Sequence, residues 1–108
     1  TGNGNADGTF VYTGFKPAFV IQKASSASSY DWVILDNKRD PFNVADESLY
    51  ANLSNAAQTS NDTDFLSNGF KLRSTAAGNN GNGTTFIYMA FAESPFVTAG
   101  TKAAGTAR

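Results

Sequence analysis

Short runs rich in Val, Ile, Phe, Tyr and Thr recur along the chain, each bounded by Gly, Asn, Ser or Pro. This is the pattern of an all-β protein. It predicts strands over Thr9–Thr13, Ala18–Lys23, Tyr30–Asp36, Ser48–Leu53, Gly69–Ser74 and Thr84–Ala92, with a short one at Asp64–Leu66. Alternation within Tyr30–Leu35 puts Tyr30, Trp32 and Ile34 on one face and Asp31, Val33 and Leu35 on the other. With both faces largely apolar, this strand is expected at the centre of a sheet. Phe86–Ala92 reads the same way, with Phe86, Tyr88 and Ala90 opposite Ile87, Met89 and Phe91. These two strands are expected to dominate a core of Phe19, Trp32, Ile34, Phe70, Phe86, Tyr88 and Phe91. Trp32→Ala is then expected to cost about 3–5 kcal/mol.

The intervening stretches are polar. Asn52–Asp64 (NLSNAAQTSNDTD) has no regular apolar period and predicts a loop, with one helical turn around Asn55–Gln58. Ala76–Thr84 is rich in residues that tolerate positive φ and predicts a link between adjacent antiparallel strands. Thr98–Arg108 has almost no large apolar side chain and is expected to be loose unless a partner orders it. The expected fold is an antiparallel β-sandwich of about six or seven strands with long polar loops. It forms a single domain over residues 1–97, followed by a flexible tail over 98–108.

Composition narrows the chemistry. A chain of 108 residues holds one core. With 41% hydrophobic and only 16% charged residues, its surface must be largely Ser, Thr, Asn and Gly, which suits secreted or virion modules. A net charge of -1 with no basic stripe argues against nucleic acid and anionic membranes as partners. No apolar run approaches a membrane-spanning length, so no membrane insertion is expected. Cysteine and histidine are both absent. That removes disulfides, thiolate sites, Cys-His and Ser-His-Asp nucleophile systems and histidine-ligated zinc. The start at Thr1, without a signal-peptide pattern, leads to the expectation of a piece of a longer polypeptide.

Three groups of residues could carry chemistry. Asn3, Asn5, Asp7 and Gly8 match the first half of a calcium loop, but the position that needs a bidentate glutamate is Gly14. The other reading of this stretch is a polar, glycine-loosened turn into the first strand; no other cofactor is expected. The glycines at 2, 4 and 8 are spaced one residue too widely for a dinucleotide fingerprint and precede a strand. In DNKRDPFN, Asp36, Arg39, Asp40 and Asn43 form either a ligand or glycan site at a strand end or a charge-balanced turn. Tyr50 is a further candidate for stacking on a sugar, as are Tyr12, Tyr30 and Phe42. A glycosidase would need a juxtaposed pair from Asp31, Asp36, Asp40, Asp62, Asp64 and Glu93, and no catalytic residue is assigned.

Several blocks, in order, carry a family resemblance: TGNGNADGTFVYTGFKPAFVIQK, DWVILDNKRDPFN, LYAN, DFLSNGFKLR and TFIYMAFAESPF. Together they resemble a β-rich domain near the C-terminus of tailed-phage virion proteins, often accompanied by a concanavalin-like lectin domain. The resemblance spans about residues 1–96. It implies a non-enzymatic structural or adhesion module in the virion, in a tail fibre, spike or capsid decoration. The expected partners are other virion proteins, further copies in a trimer or higher homo-oligomer, and host surface glycan. Phe96 and Val97 would be covered by a neighbouring subunit. The family supplies no active site to place on these positions.

Overall fold

The computed structural model describes residues 1–94; the predicted tail over 98–108, with Phe96 and Val97, lies outside them. Seven strands form in chain order: β1 (Phe10–Tyr12), β2 (Pro17–Ala24), β3 (Val33–Asp36), β4 (Ala45–Tyr50), β5 (Gln58–Leu66), β6 (Gly69–Leu72) and β7 (Phe86–Ala92), with one helical turn, α1 (Ala77–Asn80), before β7. All neighbours pair antiparallel in the order β1-β6-β5-β4-β3-β2-β7. This sheet curls into a half-barrel, and β4 joins its two limbs.

The core lies inside the curl. Val20, Val33 and Leu35 from one limb meet Phe65, Phe70 and Leu72 from the other, with Ala45 at the junction. The two-residue turn Ser67–Asn68 joins β5 to β6 in the register Leu66↔Gly69. Gly69 is required there, because a Cβ would lie 2.0 Å from the Val11 carbonyl oxygen of β1.

Four expectations change, one of them the link over Ala76–Thr84, which joins β6 and β7, strands that are not neighbours in the sheet; the other three concern individual strands. First, Gln58–Leu66 is a strand, not a loop. Its inward positions are Asn61, Thr63 and Phe65, so two of the three are polar and the apolar period disappears. Hydrogen bonds satisfy them: Asn61 Nδ2 donates to Ser48 Oγ at 2.9 Å and to the Tyr50 hydroxyl at 3.1 Å, and Thr63 Oγ1 donates to the Asn61 carbonyl at 3.1 Å. The only helical turn among the described residues is α1, not Asn55–Gln58.

Second, the core selects the opposite face of β3. Val33 and Leu35 are buried, whereas Ile34 is half-buried and Trp32 lies half-buried before the strand begins. Third, β7 is an edge strand rather than a core strand. Tyr88 and Phe91 remain 43% and 52% exposed, since β7 has a neighbour on one side only, and Phe19 and Phe86 are half-buried. Phe70 alone of the expected core set is fully buried, at 1% exposure.

Candidate functional site

The half-barrel leaves its two edges, β1 and β7, unpaired with each other among the described residues. The segments that lead into them are tied together. Gly2 N donates to the Thr84 carbonyl at 2.9 Å, and Gly83 N donates to the Gly2 carbonyl at 3.0 Å. Beyond that tie lies a cleft of about 300 Å³. Phe70, Leu72 and Gln22 line its depth, Val11 stands on the β1 side, and Phe86 and Tyr88 stand on the β7 side. Phe10 and Tyr12, which alternate to the other face of β1, border it. The Tyr88 ring meets Phe70 edge to face at 5.4 Å. No charged side chain lines the cleft among the described residues. Gln22 is the buried polar group in it and donates through Nε2 to Asn79 Oδ1 of α1.

The opening segment holds this arrangement in place. Asn3 Oδ1 accepts the Asn5 N–H at 3.0 Å and Asn5 Oδ1 accepts the Asp7 N–H at 2.9 Å, two successive side-chain-closed turns. Asn80, fully buried, donates through Nδ2 to Asn3 Oδ1, the Asn5 carbonyl and the Ser74 carbonyl. Its Oδ1 accepts the Asn3 N–H at 3.1 Å. Asp7 pairs with Lys71, whose ammonium holds the exposed carboxyl below its ordinary range. The three oxygen-bearing side chains of the half calcium loop are therefore engaged in the turn and with Lys71. Among the described residues no group of three or more acidic, histidine or cysteine side chains is placed to hold a metal ion.

Asp36, Arg39, Asp40 and Asn43 come together in the connection between β3 and β4, each with internal partners. Asp36 Oδ1 accepts the backbone N–H groups of Lys38 and Arg39 at 2.9 Å, and Arg39 Nε donates to Asp36 Oδ2 at 2.7 Å. Asp40 Oδ2 accepts the N–H groups of Asp46 and Glu47 at 2.9 and 2.7 Å. Asn43 bonds both the N–H and the carbonyl of Phe65, at 2.8 and 2.9 Å. Tyr50 sits at the other end of β4, packed against the core. Beside the loop is a hollow of about 170 Å³ bordered by Asp40, Asn43, Lys16 and Asn37, with Phe42 82% exposed at its rim.

Burial pushes the Asp36 carboxyl up, but the Arg39 N–H, the Arg39 guanidinium and the Lys38 N–H together hold it below its ordinary range. A carboxyl whose folded-state pKa is depressed adds stability that is complete above the ordinary aspartate range. That stability is lost as pH falls through the folded-state value. Asp36→Asn is accordingly expected to lower stability by about 1–2 kcal/mol at neutral pH. In thermal unfolding scans across pH, its difference from the wild type should close as the medium turns strongly acidic.

The sequence pointed to the charged loop and missed the cleft. Its one legible trace is the even-numbered face of β7, where Phe86 and Tyr88 alternate inward beside Gln22 and Ala24 of β2. Gln22, Val11 and Asn79 gave no signal, because nothing local marks a polar residue as lying at the mouth of a gap between two distant strands.

Fold and cleft define a small β-rich domain built on one curled antiparallel sheet with an open seam. The model of a family described as a domain of unknown function (DUF7483) matches residues 1–95, and the chain belongs to that family. No curated protein and no solved structure matches it.

Proposed function

We propose that the domain is a non-enzymatic structural and adhesion module of a phage virion, in a tail fibre or spike, contacting host surface glycan through the seam between β1 and β7. The observation that carries this reading is the lining of the cleft, with aromatic rings at Phe70, Phe86 and Tyr88, a buried amide at Gln22 and no charge. The C–H face of a neutral sugar stacks on such rings while its hydroxyls take hydrogen bonds from the few polar groups. Its two limbs, meeting over Phe65 and Phe70, are read as the layers of a small β-sandwich.

Five of the six candidate carboxylates support a role without catalysis. Asp31 accepts from Asn52, Asp36 from Arg39 and Asp40 from two backbone N–H groups, and Asp64 and Glu93 pair with Arg73 and Lys38. Lys38 and Asn37 hold Glu93 below its ordinary range, and Asp36 is also lowered. A general acid needs the opposite shift.

The test is binding of the domain, displayed in many copies on beads so that weak contacts add, to a broad array of bacterial glycans with calcium and then with chelator. The expected result is selective binding that Tyr88→Ala abolishes while Asp40→Asn leaves it intact. Loss on chelation would reopen the calcium reading of Asn3–Gly8. A folded domain that binds no glycan would remove the adhesion reading. A purely structural virion role would then stand, which the apolar outer face of the sheet independently favours.

A further inference from the structure

Gln22 and Asn79 form the polar floor of the cleft, and both are buried. Gln22 lines the cleft, and Asn79 stands behind it on α1. Gln22 Nε2 donates to Asn79 Oδ1 and, at 3.3 Å, to the Asn79 carbonyl. Two acceptors on one residue fix which way the Gln22 amide faces: its nitrogen is committed to α1 and its oxygen is left over. Among the described residues no donor bonds Gln22 Oε1, and Asn79 Nδ2 is a buried donor without a partner. The two amides together therefore keep one acceptor and one donor. That is the complement of a secondary amide, which offers one N–H and one carbonyl.

The surroundings narrow the ligand further. Phe70 and Leu72, beside Gln22 in the depth of the cleft, are apolar. A hexose with a hydroxyl on each free ring carbon would bury hydroxyls against them without partners, which weakens binding. A carboxylate, sulfate or free amine would be buried with no opposite charge, since no charged side chain lines the cleft among the described residues. An acetamido group meets both conditions. Its amide supplies the two polar atoms, and its methyl packs on Phe70 and Leu72. Tyr88 is the cross-strand partner of Gln22, which sets their Cβ atoms about 5 Å apart. A sugar ring stacked on Tyr88 thus has Gln22 within reach of one substituent. At about 300 Å³ the cleft is at the small end of ligand pockets, with room for one such residue.

We infer that the seam recognises an N-acetylated amino sugar, its ring against Phe86 and Tyr88 and its acetamido group on Gln22. This rests on the glycan reading of the same cleft and names the class of sugar. The acetamido N–H donates to Gln22 Oε1, and its carbonyl answers the spare donor of Asn79.

The test uses the full chain, displayed in many copies on beads, and oligosaccharides matched in linkage and length. These are N-acetylated glucosamine and galactosamine oligomers, the same oligomers after de-N-acetylation, and the parent hexose oligomers. The expected result is binding of the N-acetylated members about tenfold tighter than any of the others, the worth of one hydrogen bond. Saturation-transfer NMR with the N-acetylated sugars should show its strongest transfer at the acetamido methyl protons, and the Gln22 side-chain amide signals should shift on titration. Equal or tighter binding of parent, de-N-acetylated or acidic sugars would overturn the inference and leave the glycan reading standing. So would strongest transfer at ring protons remote from the acetamido group, or Gln22 signals that stay in place. A folded domain that binds no sugar overturns both. Gln22→Leu should bind N-acetylated and parent oligomers alike; if it fails to fold, the wild-type comparison decides.

Discussion

Phe70→Ala is expected to be the most damaging single truncation in the domain, removing about 3–5 kcal/mol of stability. Phe70 is 1% exposed. It pairs with Val11 on one side and Phe65 on the other and meets the Tyr88 ring across the mouth of the curl. Truncation therefore opens a cavity where both limbs converge. Against a total stability of about 5–15 kcal/mol for a domain of this kind, the loss should be plain in urea as a lower midpoint with an unchanged slope. Trp32→Ala, predicted from the sequence to cost as much, should cost only about 1–2 kcal/mol, because the side chain is partly exposed ahead of β3 and lies outside the buried core cluster. A larger loss for Trp32 than for Phe70 would show that the core lies on the other face of β3.

The second large effect is expected at Asn80. Its fully buried amide makes four hydrogen bonds, reaching Asn3 twice and Asn5 and Ser74 once each. It fastens the opening segment over the end of the cleft. Alanine at this position leaves the buried Ser74 carbonyl without its donor and frees the exposed Asn3 and Asn5 from the fold, so a loss of about 1–3 kcal/mol is expected. Amide exchange at Asn3 and Asn5 should accelerate more than exchange in β5, which distinguishes local release from a uniform loss of stability. Asn79 supplies the control. It is equally buried, but it bonds Gln22 and leaves its own Nδ2 without a partner among the described residues. Asn79→Ala removes an unsatisfied group along with a satisfied one and should cost about 1 kcal/mol. Equal losses at the two positions would mean that Asn80 is no special fastening.

These contrasts also separate what was legible in the residues from what was not. β2, β3, β6 and β7 stood out because apolar side chains recur at period two between turn residues, a purely local signal. β5 was hidden because its inward positions include Asn61 and Thr63, whose partners Ser48 and Tyr50 come from another strand. In the charged loop, residue types and spacing placed Asp36, Arg39, Asp40 and Asn43 together, but their partners, from Asp46 to Phe65, arrive only with the fold.

By itself the sequence determined the antiparallel β class, the exclusion of cysteine and histidine chemistry and most strand positions, because these depend on side-chain identity and short-range alternation. Tertiary structure alone decided which face of each doubly apolar strand became core, why Phe91 and Met89 remain in solvent and where the seam opens. The reason is physical. Alternation defines two faces but does not rank them, and the choice is made only when the curl of the sheet brings Phe70 of one limb against Tyr88 of the other.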